Sequence, residues 1–231
     1  RLPMAKPKAR PKPERPKPKS RVKDMAQRCT LPGTRLYLWP HMELDTLTAI
    51  SPVDGRYRDR TRALAKWFSE QALMRYRLQV ELAYFRFLCR IPLPELKGTP
   101  LQQLDTVERR IAELSTSDAQ RIKAIESVTN HDVKAVEYFL KERMEEVGLG
   151  AQVEFVHFGL TSQDINNTAL PMLIKDFLYE AYLPTIVGVR DRLHGLALDW
   201  ARVPMLARTH GQPASPTYLG KELQVFVERL D

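Results

Sequence analysis

The chain has 231 residues, 43% of them hydrophobic, with 36 Lys and Arg against 28 Asp and Glu, enough for one large domain or two small ones with an apolar core. No apolar run approaches the ~18 residues of a membrane span, and two distant cysteines, Cys29 and Cys89, give neither a disulfide framework nor a metal-ligand spacing. The formal net charge of +8 invites a nucleic-acid reading, and its distribution argues against one.

Residues 1–41 hold 12 of the basic and 2 of the acidic residues, which leaves 24 against 26 for the remainder. The opening RLPMAKPKARPKPERPKPKSRVK alternates basic residues with proline and predicts a disordered, partly polyproline-II tail. Because the chain starts at Arg1 and a fresh globular pattern opens at Met42, the tail is expected to be a non-native extension; the other reading is an anchor for nucleic acid or acidic surfaces. Three segments follow: a tail over 1–41, a helical N-terminal domain over 42–150, and over 151–231 the first part of a helical-bundle domain. A reducing, cytoplasmic setting fits the cysteine usage.

From Met42 onward the pattern is almost all-α. Trp67, Met74, Leu78, Leu82, Phe85 and Leu88 recur at helical spacing, and Ile91-Pro92-Leu93-Pro94 ends that helix. Val133, Val136, Leu140, Met144 and Val147 form a second stripe, closed by Gly148 and Gly150. Ile186, Val189, Leu193, Leu196 and Trp200 form a bundle-like seam on a helix that begins near Ser162 and runs ~35 residues, with Pro171 and Pro184 as kinks or early-turn prolines. Leu219, Leu223, Phe226 and Leu230 start another helix. These stripes have too few partners in the chain to bury their apolar faces.

Four polar clusters interrupt the helices. In Ser51-Pro52-Val53-Asp54-Gly55-Arg56-Tyr57 a turn leaves Arg56 and Tyr57 projecting; the Arg fork suits phosphate or carboxylate, although alone the segment reads as a surface turn. In Thr129-Asn130-His131-Asp132-Val133-Lys134, Thr129 or Asn130 is expected to cap the next helix and make its N–H groups a candidate anion site, with His131 and Lys134 on one face. In His157-Phe158-Gly159-Leu160-Thr161-Ser162-Gln163-Asp164, the pair Thr161-Ser162 reads as a helix start with free hydroxyls and amides. In Arg208-Thr209-His210-Gly211-Gln212-Pro213-Ala214, Gly211 and Pro213 break regular structure and place His210 on a turn at the end of a rigid element. The five histidines make no metal-ligand cluster, and no dinucleotide or P-loop glycine pattern is present.

The segments SPVDGRY (51–57), TNHDVKAVEYFLKE (129–142), EFVHFGLTSQDINN (154–167) and RTHGQPASPTYLGKE (208–222) resemble the adenylosuccinate lyase family of the fumarase/aspartase superfamily, in the family's order. The resemblance implies an all-α fold, a helical N-terminal domain followed by a long-helix bundle, and a homotetramer. It implies a purine nucleotide substrate and a β-elimination without cofactor or metal: adenylosuccinate would give AMP and fumarate, and the succinylated imidazole-carboxamide ribotide (SAICAR) would give AICAR and fumarate. His210 is then the general acid, assisted by His131. Arg56 and Tyr57 contact the phosphate end; Asn130, His131 and Asp132 bind substrate; Thr161 and Ser162 contact the succinyl carboxylate. The family's catalytic serine lies on a Gly- and Ser-rich loop with Met-Pro-x-Lys-x-Asn, downstream of the RTHGQPA segment. This chain stops before it and is expected to be an incomplete enzyme, inactive alone.

Two other classes compete. One is a nucleic-acid-binding helical protein acting through the tail. It is disfavoured because the remainder of the chain is slightly acidic and the tail before Thr30 carries no aromatic residue. The other is a non-catalytic homologue.

Overall fold

The computed structural model describes residue 47 and residues 49–231. The basic tail, its boundary at Met42 and Cys29 lie outside the described residues.

The first stripe is buried throughout, but it spans two helices. Trp67 sits in the short helix Ala65–Phe68, and Ser69 then caps helix α1 (Glu70–Leu88) by accepting the Ala72 N–H at 3.1 Å. Helices α2 (Leu101–Ala112), α3 (Thr116–Thr129) and α4 (Asp132–Glu145) follow. Val133, Val136, Leu140 and Met144 of the second stripe are buried. Gly148, at φ +83°, closes it by turning the Leu149 N–H back to the Met144 carbonyl at 3.0 Å.

Helix α1 is the mast of the fold because two of its faces are apolar. Leu78 and Phe85 pack with Leu104 and Ile111 of α2, Ile122 of α3 and Phe139 and Leu140 of α4. Tyr76 and Val80 pack instead with Trp67, Val133, Ile165, Ala169 and Leu173, and the last three belong to helix α5 (Ser162–Phe177). The N-terminal turns of α4 and α5 are thus fixed against one helix.

The long helix is present. Helix α5 runs through the π turn Leu178–Tyr182 into α6 (Leu183–Asp199) without a break. The π turn falls just before Pro184, which has no N–H to donate to the α ladder, and the Leu183 N–H reaches back to the Leu178 carbonyl. Among the described residues no helix is long and apolar enough to cross a membrane.

The departure from an all-helical reading is a two-stranded antiparallel hairpin, β1 (Pro204–Thr209) and β2 (Gln212–Tyr218), followed by helix α7 (Leu219–Leu230). Pro213 and Pro216 forbid a helix here, and a two-stranded ribbon tolerates them because each strand has a free edge. The register shifts between Leu206 and Arg208, a bulge that bends the ribbon. Val189, Trp200, Phe226 and Leu230 of the α6 and α7 stripes are exposed, as expected for seams without partners.

Candidate active site

Two of the four clusters meet. His131 is the N-cap of α4, and its Nδ1 accepts the Lys134 N–H at 3.1 Å. The capping residue is therefore His131, not Thr129 or Asn130. Thr129 sends its hydroxyl to the Ile125 and His131 carbonyls, and Asn130, at φ +51°, closes α3 instead. The other ring nitrogen of His131, Nε2, lies 3.3 Å from Ser162 Oγ, and Ser162 is the first residue of α5. With Nδ1 accepting, the proton of the neutral ring is on Nε2 and is offered to Ser162. Two helix N-termini, each carrying roughly half a positive charge and unpaired N–H groups, are joined by one imidazole.

Thr161 does not have the free hydroxyl expected of it. Its N–H and its hydroxyl both donate to Asp164 Oδ2 at 2.7 Å, and these bonds hold the Asp164 carboxyl below the usual carboxylate range.

Arg77 and Glu81, which the sequence reading passed over, organise the cluster from behind. Arg77 is only 8% exposed; its Nη2 pairs with Asp132 at 2.8 Å and its Nε donates to Asn166 at 2.9 Å. One guanidinium thus ties the first turn of α4 to the second turn of α5. Burial on its own would raise the Asp132 carboxyl, but Arg77, the Val133 N–H and His131 together take it below its ordinary value. Asp132 is therefore committed to Arg77. Glu81 is fully buried and bonds His157. A signal for both was present: 77 and 81 are charged positions on the apolar face of α1, four apart.

The hairpin presents His210 at its tip. His210 (φ +49°) and Gly211 (φ +75°) form a two-residue turn with both φ positive, the geometry that matches strand twist. His210 is exposed and has no hydrogen-bond partner among the described residues. Arg56 and the half-exposed Tyr57 stand on the 51–57 turn, the guanidinium 5.6 Å from the Tyr57 ring centroid. The structure shows no contact between either group and the His131–Ser162 pair. Among the described residues the non-glycine residues with positive φ are Asn130, His157 and His210, one in each of three segments singled out from the sequence. Such backbone is costly, on the order of 1 kcal/mol or more per residue, and clusters at functional sites.

Residues 55–231 match the family model described as lyase. The chain belongs to the lyase family. Among its relatives, the adenylosuccinate lyase of Dictyostelium discoideum is 48% identical over 198 residues, covering 83% of this chain and 42% of that protein. That of Legionella pneumophila (strain Corby) is 46% identical over 191 residues, covering 82% and 42%. A solved fumarate lyase from Mesorhizobium sp. BNC1 superposes with a TM-score of 0.57 at 25% identity, over 75% of this chain and 37% of that one. This lyase-family chain thus spans less than half the length of the relatives it matches.

Proposed function

We propose that the chain is part of an adenylosuccinate lyase. It would eliminate fumarate from adenylosuccinate to give AMP, and from SAICAR to give AICAR. The observation that carries this reading is the junction of the NHDVKAVE and HFGLTSQDIN segments: His131 on one helix N-terminus meets Ser162 on another, in a chain 46–48% identical to proteins of that name.

In such an elimination a proton leaves the carbon beside a carboxylate, the electron pair forms the carbon–carbon double bond, and the C–N bond breaks as the nitrogen takes up a proton. Charge builds on the carboxylate, where preorganised donors are most effective. The first turns of α4 and α5, with Ser162, Asn130 and His131, supply such donors, while Thr161 holds the α5 turn through Asp164 and Asp132 holds the α4 turn through Arg77. His210, on a rigid tip and open to solvent, suits proton delivery to the leaving nitrogen, with His131 assisting. Arg56 and Tyr57 suit the phosphate end. Assembly as a homotetramer is supported by the exposed apolar side chains Leu170, Ile174, Leu178 and Leu183 along the long helix. A cytoplasmic setting accords with the free Cys89 thiol.

The test is fumarate release from adenylosuccinate by the full gene product, wild type and two variants. His210→Ala should lower kcat by ~10²–10⁴-fold with little change in KM, because an acid acts mainly in the transition state. Arg56→Ala should raise KM first. A His210→Ala kcat within a few-fold of wild type, on the order of 1 kcal/mol or less, removes His210 from the role. No fumarate from the wild type removes the reading.

A further inference from the structure

Glu81 is a carboxylate where the fold calls for an apolar side chain. It lies on the buried face of α1, one turn before Phe85, with no exposure to solvent. Its Oε1 is 2.5 Å from His157 Nδ1, and its Oε2 has no hydrogen-bond partner. The neighbouring ammonium groups are taken: Lys134 bonds Glu137 at 2.7 Å, and Lys141 lies 3.2 Å from the other oxygen of Glu137. Burying a carboxylate with one oxygen unpaired is costly, and an apolar residue of similar volume would pack there at no loss. Desolvation accordingly pushes the Glu81 carboxyl upward, against the pull of His157. Packing therefore gives no reason for the carboxylate.

His157 supplies one. Its backbone is left-handed, φ +61°, in a tight loop completed by Gly159 at φ +72°, and its side chain is only 15% exposed. That loop delivers Thr161 and Ser162 to the start of α5, and His157 is close enough to act electrostatically on Asp164, the residue that holds Thr161. With Nδ1 bound to a carboxylate, that nitrogen keeps its proton, and Nε2 becomes the nitrogen that exchanges one. Nε2 has no hydrogen-bond partner among the described residues.

We infer that Glu81 is a positioning residue: it locks His157 with Nδ1 protonated, so that Nε2 is presented to the substrate beside the Thr161–Ser162 turn. The activity arm of this inference rests on the lyase reading; the tautomer arm does not.

The test is a double-mutant cycle in the full gene product with adenylosuccinate as substrate. Glu81→Met and His157→Phe should each lower kcat/KM by about tenfold or more, the scale of a misplaced contact. The double variant should fall no further than the worse single one, because the two residues act as a unit. Glu81→Met should melt at or above the wild-type temperature, since it removes a buried unpaired carboxylate. Should Glu81→Met not fold, Glu81→Gln takes its place in the cycle. Losses that multiply, or a Glu81→Met enzyme as active as wild type, overturn the inference. Independently of activity, the ¹⁵N shifts of the His157 ring should show the neutral form protonated at Nδ1 in the wild type and at Nε2 in Glu81→Met. Nε2 protonation in the wild type overturns the positioning role. If the wild type releases no fumarate, the lyase reading fails and the nitrogen shifts still decide this one.

Discussion

Gly220→Ala sets two effects of opposite sign against each other. Alanine in a helix is worth up to ~1 kcal/mol over glycine, so an unhindered methyl would stabilise α7. At Gly220, however, the added Cβ would lie 2.1 Å from the Ala197 carbonyl oxygen and 2.7 and 2.8 Å from Ala201 Cα and N. These obstacles are backbone atoms, which cannot swing aside. To bring even the nearest contact to 3.0 Å, α6 and α7 must separate by about 0.9 Å. Overpacking of this kind costs ~1–3 kcal/mol, toward the upper end when backbone must move. With the propensity gain set against it, the net loss is about 2 kcal/mol, or a fall in Tm of about 4–8 °C for a domain of this size. The same contact anchors the hairpin. The Gly220 N–H donates to the Trp200 carbonyl at 3.0 Å and the Leu219 N–H to the Val203 carbonyl at 2.9 Å, so a wider helix pair shifts the base of the ribbon that carries His210. Thermal unfolding followed by far-UV circular dichroism, with fumarate release in parallel, checks both consequences. A variant with an unchanged or raised Tm would refute the claim that backbone contact at Gly220 sets the spacing of α6 and α7.

Two further outcomes follow from single side chains. His131→Asn keeps an N-cap oxygen for the Lys134 N–H but loses the reach to Ser162, so it should melt within about 0.5 kcal/mol of wild type, whereas His131→Ala should lose ~1 kcal/mol; equal activity losses in the two, read by fumarate release, would separate the ring's role from the cap. The buried Tyr76 hydroxyl bonds Asp176 at 2.7 Å, and burial, then Asp176, raises its pKa from 10.0 to about 12. The native state keeps this proton when the unfolded chain gives it up, so the contribution to stability is whole below pH 10 and is lost as pH rises toward 12. Urea titrations across that range should show a steeper loss for wild type than for Tyr76→Phe.

The helices were legible because their apolar stripes were long and in phase: every member of the 67–88 stripe is buried. The hairpin was not, because its strands are short, hold three prolines (Pro204, Pro213 and Pro216) and lack a sustained alternation of burial. The turn at His210-Gly211 was readable as a break but not as a strand-joining turn, since histidine is an unusual first residue for that geometry. At the site, the residues with local chemistry were found: His131 and Ser162 were both singled out from their own segments. Their meeting was not readable, because it depends on α1 holding α4 and α5 together through contacts far apart in sequence. Arg77 and Glu81 were hidden by the same rule that found the helix, for a reading of apolar spacing passes over the charged positions between.

The way α4 and α5 meet limits what the site can hold. Two helix N-termini brought to one imidazole place like partial charges side by side, an arrangement unfavourable without negative charge nearby. Each helix carries an aspartate in its first turn, and both are spoken for: Asp132 pairs with Arg77, and Asp164 takes the Thr161 N–H and hydroxyl. Because Arg77 itself brings a buried positive charge, the pair Arg77–Asp132 cancels and leaves the α4 terminus uncompensated. On α5 the Asp164 charge remains, because its Thr161 partners are neutral donors, so the uncompensated field at the junction is that of the α4 peptide dipoles, fixed by the backbone. Fixed dipoles do not reorganise when a charge arrives. An anion beside the α4 terminus would gain that field without such a penalty, and a neutral ligand of the same shape would gain far less. In the lyase reading proposed above, a carboxylate-bearing substrate would draw on that fixed field before any side chain made a specific contact with it.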